Sequence, residues 1–228
     1  MEAEQSTARV RPFPSYAVRT ACNNPHVTDA KPASRPWAYA IFLIVAGVIG
    51  WAAAFILTME KFNVLLHPSD ALTCDISPLV QCTANLESWQ GSLFGFPNPI
   101  LGLTGWMAVV VVGAALLAGA RFDRWFRIVF NLGVAGAMLL VIFLVSQSIF
   151  VLGTLCIYCM ITWVVTIPTF LLVTLGNLRD GTIPLAPRLR RIADSLYGWI
   201  PVISLACYIV IVVMAQLRID AITRILHL

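Results

Sequence analysis

Two closely spaced pairs of cysteines are the residues of this chain whose types and spacing point most directly to chemistry. Cys74 and Cys82 are separated by seven residues, and Cys156 and Cys159 form a C-x-x-C motif. A thiolate can attack a disulfide, so two such pairs in one compartment can exchange two electrons. The pattern therefore indicates thiol–disulfide chemistry, provided that the fold brings the two pairs together.

The C-x-x-C motif is predicted to open a helix, where its two sulfurs share one face. The first cysteine then lies beside unpaired N–H groups and the positive end of the helix dipole. That position lowers the pKa of a thiol and makes it reactive. Zinc sites and structural bridges also use C-x-x-C. His67 and His227, the histidines expected in the same compartment as these cysteines, do not lie at ligand spacing. No metal site is predicted.

The pair Cys74 and Cys82 has two interpretations. A structural disulfide would close a short loop and stabilise the fold by about 2–3 kcal/mol through chain entropy. The presence of a second pair in the same compartment instead favours a relay, in which the second pair passes electrons to a membrane-soluble acceptor. Cys22 and Cys207 are assigned no role, because an isolated thiol usually behaves as a small apolar residue.

The elements that must position these cysteines are membrane helices. The chain of 228 residues is 59% hydrophobic and 11% charged, whereas a soluble domain is about a quarter charged. Five apolar runs of 19–25 residues can each cross a hydrocarbon core of roughly 30 Å. In lipid, the backbone of each run must satisfy its own hydrogen bonds. The predicted fold class is all-α integral membrane, with spans at 37–59, 99–119, 127–151, 155–175 and 199–217.

The basic residues predict how the chain is oriented. With residues 1–36 as a disordered cytoplasmic tail, 12 of the 15 basic residues fall on the cytoplasmic side. All four paired cysteines then lie outside, two in an external loop at 60–98 and two at the outer mouth of the fourth span. We therefore expect a multi-pass protein of the cytoplasmic (inner) membrane, with a periplasmic active site.

The motifs together resemble the vitamin K epoxide reductase family, particularly its bacterial homologues. The matching features are Cys74-x7-Cys82, Ser88 six residues later, Gly-Phe-Pro-Asn-Pro at 95–99, and the C-x-x-C motif opening the next-to-last helix. The resemblance covers residues 37–178. It implies a four-helix transmembrane bundle that encloses a quinone (menaquinone or ubiquinone), with the external loop as its cap and a fifth transmembrane helix outside the core.

The resemblance also implies roles for the cysteines. Cys74 would exchange with a reduced partner protein, and Cys82 would form a transient bridge with Cys156. Cys159 would then face the quinone. Ser88 matches a loop serine that is important for activity.

Two further residues match positions at the family's quinone site. Asn98 corresponds to the residue that hydrogen-bonds a quinone carbonyl. Trp163 stands where vertebrate members carry a tyrosine that makes a second polar contact to the quinone ring. That contact is not retained in the same form here.

Predictions can also be made for residues 179–228, which follow the four-helix core. Residues 179–198 are predicted to be a cytoplasmic basic loop, and residues 199–228 a fifth transmembrane helix with a short external tail. Some bacterial relatives continue into a fused thioredoxin-like domain, which is not seen here. The resemblance then implies a separate DsbA-like thioredoxin-fold partner.

Two other classes of function stay open at this point, a small transporter and a structural membrane protein, each with a disulfide-stapled external loop. Against a transporter, the predicted spans contain no internal charged residue and no inverted repeat.

Overall fold

All the long secondary-structure elements that the structure describes are helices. The structure is a computed structural model that describes residues 37–67, 72–184 and 186–220. Within these ranges the chain forms seven α-helices, a 3-10 turn (Trp89–Ser92) and a π-helical turn (Ser148–Leu152). The helices are α1 (Trp37–Leu66), α2 (Thr83–Glu87), α3 (Asn98–Leu117), α4 (Arg124–Gln147), α5 (Ile157–Arg179), α6 (Pro187–Tyr197) and α7 (Ile200–Ile219).

Five of these helices are long and apolar enough to span a membrane: α1, α3, α4 with its π-helical extension, α5 and α7. The prediction of an all-α integral membrane fold is therefore confirmed. The expected cytoplasmic tail at 1–36 lies outside the described residues, and so do residues 221–228 of the expected external tail.

The first helix is longer than its sequence predicts. The sequence indicates an end near residue 59 because Glu60 and Lys61 follow, but α1 continues to Leu66. Both charged groups are hydrogen-bonded by the loop above them. Glu60 is buried and accepts the hydroxyl of Thr73, and the Lys61 ammonium donates to the carbonyl of Leu86 at 2.8 Å. These bonds offset the cost of keeping charges on the helix.

Small residues set the closest packing in the bundle, which is between α1 and α3. A Cβ added at Gly50 would lie 2.3 Å from the Trp106 ring, and one at Gly47 would lie 2.7 Å from Val110. Glycines allow two membrane helices to approach this closely. The helix α5 then packs against both α1 and α4, whereas α3 and α4 share no extensive contact.

The connection predicted as a basic loop contains the helix α6. Proline stands at its first turn, which is a favoured start. Its residues Ala193 and Tyr197 pack against the end of α5, and Asp194 pairs with Arg179 at 2.9 Å. The segment was predicted as a loop because of its many arginines, although its sequence also has the pattern of an amphipathic helix.

Candidate active site

A short backbone pairing joins the loop between α1 and α3 to the start of α5. Val80 and Leu155 form an isolated parallel bridge. The N–H of Gln81 donates to the carbonyl of Leu155 at 3.0 Å, and the N–H of Leu155 donates to the carbonyl of Leu79 at 2.8 Å. Because Cys82 follows Val80 by two residues and Cys156 follows Leu155 directly, the bridge brings these two cysteines together.

All four cysteines of the two predicted pairs meet at this point. Cys74 and Cys82 form a disulfide with a Cα–Cα distance of 5.8 Å, and Cys156 and Cys159 are free thiols. The sulfur of Cys156 lies 3.2 Å from the sulfur of Cys82. Both residues are completely buried, in a cluster that includes Leu57. The arrangement places a thiol against one sulfur of a disulfide, which is the geometry that thiol–disulfide exchange requires.

Cys156 occupies the predicted position directly before α5, whose first residue is Ile157. The hydrogen bond with the side chain of Cys159 lowers the pKa of Cys156. Burial acts in the opposite direction, but the backbone N–H groups of Cys159 and Tyr158 also lower the pKa, and the net direction is downward. The start of the helix therefore favours the thiolate form of Cys156.

Asp75 holds the backbone at Cys82, and it was not predicted from the sequence as a site residue. Its Oδ1 accepts the N–H of Cys82 at 2.6 Å and the N–H of Thr83 at 3.2 Å. Its Oδ2 accepts the hydroxyl of Thr83. Burial raises the pKa of Asp75, but these bonds outweigh it and the pKa is lowered. A carboxylate directly after Cys74 was the available signal.

A polar network fixes the loop to the segment that follows the C-terminal end of α4. Asn85 donates to Thr154 Oγ1 at 3.3 Å and accepts the hydroxyl of Ser148 at 2.9 Å. Ser88, predicted to matter for activity, donates to the backbone carbonyl of Asn85 at 2.8 Å. The Ser88 hydroxyl thus supports the loop, and among the described residues it makes no hydrogen bond to a cysteine.

Asn98, predicted to bind a quinone, is the first residue of α3 and bonds to the 3-10 turn. Its Oδ1 accepts the N–H of Leu93 at 3.1 Å, and its Nδ2 donates to the carbonyl of Gln90 at 2.6 Å. Gln90 is buried, and its Nε2 donates to Oε1 of Gln147 at 3.1 Å. Gln90 was not predicted as a site residue, since one glutamine in a polar loop carries no periodic signal.

Cys159 and Trp163 lie one helical turn apart on α5. Trp163 is 4% exposed and belongs to an apolar cluster formed with α4 and α7. Cys159 packs both against this cluster and against the cluster that holds the other cysteines. Cys159 therefore lies between the disulfide and an apolar part of the bundle.

The comparison with known families matches this core. The model of the vitamin K epoxide reductase family matches residues 41–174, which include the four clustered cysteines, α2 and α3, and most of α1 and α5. No curated protein matches the chain.

Proposed function

Because the chain belongs to the vitamin K epoxide reductase family, and is thus a multi-pass membrane thiol oxidoreductase, we propose that it transfers two electrons from a thioredoxin-fold partner to a quinone. The observation that carries the proposal is the 3.2 Å distance between the sulfurs of Cys156 and Cys82, the latter in a disulfide with Cys74. A disulfide that merely staples a loop does not require a free thiol against it.

The first step is oxidation of the partner. A thiolate of a reduced DsbA-like protein attacks Cys74, forms a mixed disulfide and releases the thiolate of Cys82. The second thiol of the partner then displaces Cys74, so the partner leaves with a disulfide and the outer pair holds two electrons. Cys74 is the sulfur that the partner would attack, because the other sulfur of the disulfide, that of Cys82, already lies against Cys156.

The second step moves the electrons inward. The thiolate of Cys82 attacks Cys156 in a Cys156–Cys159 disulfide and releases Cys159. Cys74 then attacks Cys82, restores the outer disulfide and releases Cys156. The structure has the pairing that follows this step, with Cys74 bonded to Cys82 and two free thiols on α5. The lowered pKa of Cys156 makes it a good leaving group.

The third step empties the inner pair. A bound quinone would supply an acceptor for two electrons and two protons. Cys156 and Cys159 would give up both and re-form their disulfide. The residues present fit such a ligand: Cys159 adjoins an apolar cluster, and Asn98 keeps one N–H free of the bonds described above. Trp163 lies within that apolar cluster, where its ring would contribute apolar contact.

The remaining assignments belong to the same proposal. Residues 37–178 would form the catalytic core, with the tail at 1–36 in the cytoplasm and the cysteines on the periplasmic side of the inner membrane. The excess of basic residues in the tail and in the second and fourth connections supports this orientation.

The experiment is oxidation of a reduced DsbA-like protein by the purified chain, with and without added menaquinone or ubiquinone. We expect quinone-dependent turnover that Cys159→Ala abolishes, while Cys74→Ala blocks oxidation of the protein partner. Turnover that survives loss of both Cys156 and Cys159 would contradict the relay. Absence of turnover with every quinone would favour a structural role for the loop disulfide or a transporter.

A further inference from the structure

One buried polar atom near Asn98 has no hydrogen-bond partner in the part of the chain that the structure describes. Gln90 is 4% exposed, and its Nε2 donates to Gln147, but its Oε1 has no hydrogen bond among the described residues. Buried side-chain oxygens are nearly always paired, because leaving one without a hydrogen bond is costly. An orphaned acceptor in this position points to a ligand that can donate to it.

The position of Gln90 relates it to two membrane helices. Its carbonyl accepts the side chain of Asn98, the first residue of α3, and its side chain bonds Gln147, the last residue of α4. Trp89 packs against Phe143 of α4, with ring centroids 6.2 Å apart, and holds the 3-10 turn against that helix. Since α3 and α4 share no extensive contact, the turn bridges the outer end of the seam between them.

We propose that the carboxamides of Gln90 and Gln147 form a hydrogen-bonding end of the quinone site and respond to the redox state of the ring. The inference rests on the proposed function and names residues that the family resemblance did not supply. In the observed arrangement, Oε1 of Gln90 is an acceptor, which suits the hydroxyl of a hydroquinone.

The same pair can serve the oxidised ring. If both carboxamides rotate by a half turn, Nε2 of Gln147 donates to Oε1 of Gln90, and Nε2 of Gln90 becomes the free donor for a quinone carbonyl. The bond between the two glutamines is kept in either arrangement. A carboxamide can therefore follow the change from carbonyl to hydroxyl, which occurs as Cys156 and Cys159 give up two electrons and two protons and form a disulfide.

The neutrality of the pair suits its surroundings. A carboxylate or an ammonium group beside apolar helices would carry the cost of burying a charge, and it could only accept or only donate. Two amides avoid that cost and supply both functions.

The first test measures binding of ubiquinone-1 to the purified full chain by tryptophan fluorescence quenching, alongside steady-state kinetics. Gln90→Leu and Gln147→Leu should each weaken ubiquinone-1 binding roughly two- to tenfold, as expected for loss of one hydrogen bond. The matched control is Thr174→Val, which removes another buried oxygen that has no partner among the described residues, slightly more than four turns from Cys159 on α5. The control should bind ubiquinone-1 like the wild type.

A single-turnover measurement separates this inference from the function on which it rests. Reduction of the outer disulfide by the DsbA-like protein, without quinone, is measured in the wild type and in Thr174→Val, and the two proteins should react at the same rate. If the wild type reduces ubiquinone-1 and both leucine variants bind it with unchanged affinity, the inference is wrong and the relay stands. If the wild type does not reduce any quinone, the proposed function fails.

Infrared difference spectra on the wild type provide a readout that does not depend on a variant folding. Carboxamide bands of ¹³C-labelled glutamine should shift when bound ubiquinone-1 is reduced. Spectra without a glutamine band would overturn the proposed response to the redox state.

Discussion

Cys82 and Cys156 are 74 positions apart in the chain, yet their sulfurs lie 3.2 Å from one another. Two backbone hydrogen bonds between the loop that joins α1 to α3 and the residue before Cys156 produce this contact. The free thiol belongs to one predicted cysteine pair and the disulfide to the other. The two pairs are thus arranged in series, which is the arrangement an electron relay needs.

The backbone bridge should control the rate of exchange between the pairs. Gln81→Pro removes the N–H that donates to Leu155. Because one hydrogen bond contributes about 1 kcal/mol net, formation of a Cys82–Cys156 bridge should slow roughly two- to tenfold. The rate can be followed in a Cys74→Ala background by quenching with acid and separating the alkylated forms.

The control for this experiment is Gln81→Ala, which loses only the side-chain bond to the carbonyl of Pro78. It should form the Cys82–Cys156 bridge at the parental rate. Equal rates in the proline and alanine variants would show that the backbone bridge does not position the sulfurs.

The charge of Asp75 should influence Cys156. Asp75 acts electrostatically to raise the pKa of Cys156, so Asp75→Asn should lower that pKa further. A thiolate forms above the pKa of its thiol, and the rise in alkylation of Cys156 by iodoacetamide should therefore move to lower pH. Peptide mass spectrometry across a pH series measures this. Glu87→Gln, which alters an exposed carboxylate in the same loop, should leave the profile unchanged. A shift to higher pH in Asp75→Asn would contradict the account.

Cys159 should act on Cys156 in the opposite sense. The side-chain hydrogen bond from Cys159 is the main cause of the lowered pKa of Cys156. Cys159→Ala removes it, so alkylation of Cys156 should rise only at higher pH than in the wild type. Cys207→Ala serves as the control, because it deletes a free thiol on α7. Identical profiles in all three proteins would mean that the thiols of the C-x-x-C motif do not interact.

The packing between α1 and α3 should tolerate no added methyl group at Gly50. A Cβ there would lie 2.3 Å from the Trp106 ring, and overpacking of this kind costs about 1–3 kcal/mol. Gly50→Ala should lower the melting temperature in detergent by several degrees, as measured by circular dichroism. Gly133→Ala, where a Cβ meets nothing within 4 Å, should melt at or slightly above the wild-type temperature. Equal melting temperatures would contradict the close packing.

Much of the fold could be predicted because lipid imposes a length and a composition on each span. The five membrane helices and the C-x-x-C motif at the start of α5 follow from apolar runs and local helix rules. The end of α1 could not be predicted in this way, since the hydrogen bonds that let Glu60 and Lys61 continue the helix come from residues further along the chain.

The candidate site was harder to predict from the sequence, because it too depends on contacts between residues that are distant in the chain. The cysteine types and spacing predicted the chemistry, and the family resemblance implied a bridge between Cys82 and Cys156. The backbone bridge that holds their sulfurs together has no sequence signature. The roles of Ser88, Asn98 and Trp163 stay predictions. Gln90 could not be identified from the sequence, because its significance lies in an unpaired atom that only tertiary structure reveals.

The most direct test of the relay is disulfide mapping of the Cys74→Ala variant, oxidised with a quinone, quenched in acid and analysed by mass spectrometry. Without Cys74, the thiolate of Cys82 has no outer partner. The account predicts a Cys82–Cys156 disulfide with Cys159 as a free thiol. A Cys156–Cys159 disulfide beside a free Cys82 thiol would show that the two pairs do not exchange, and it would contradict the central claim.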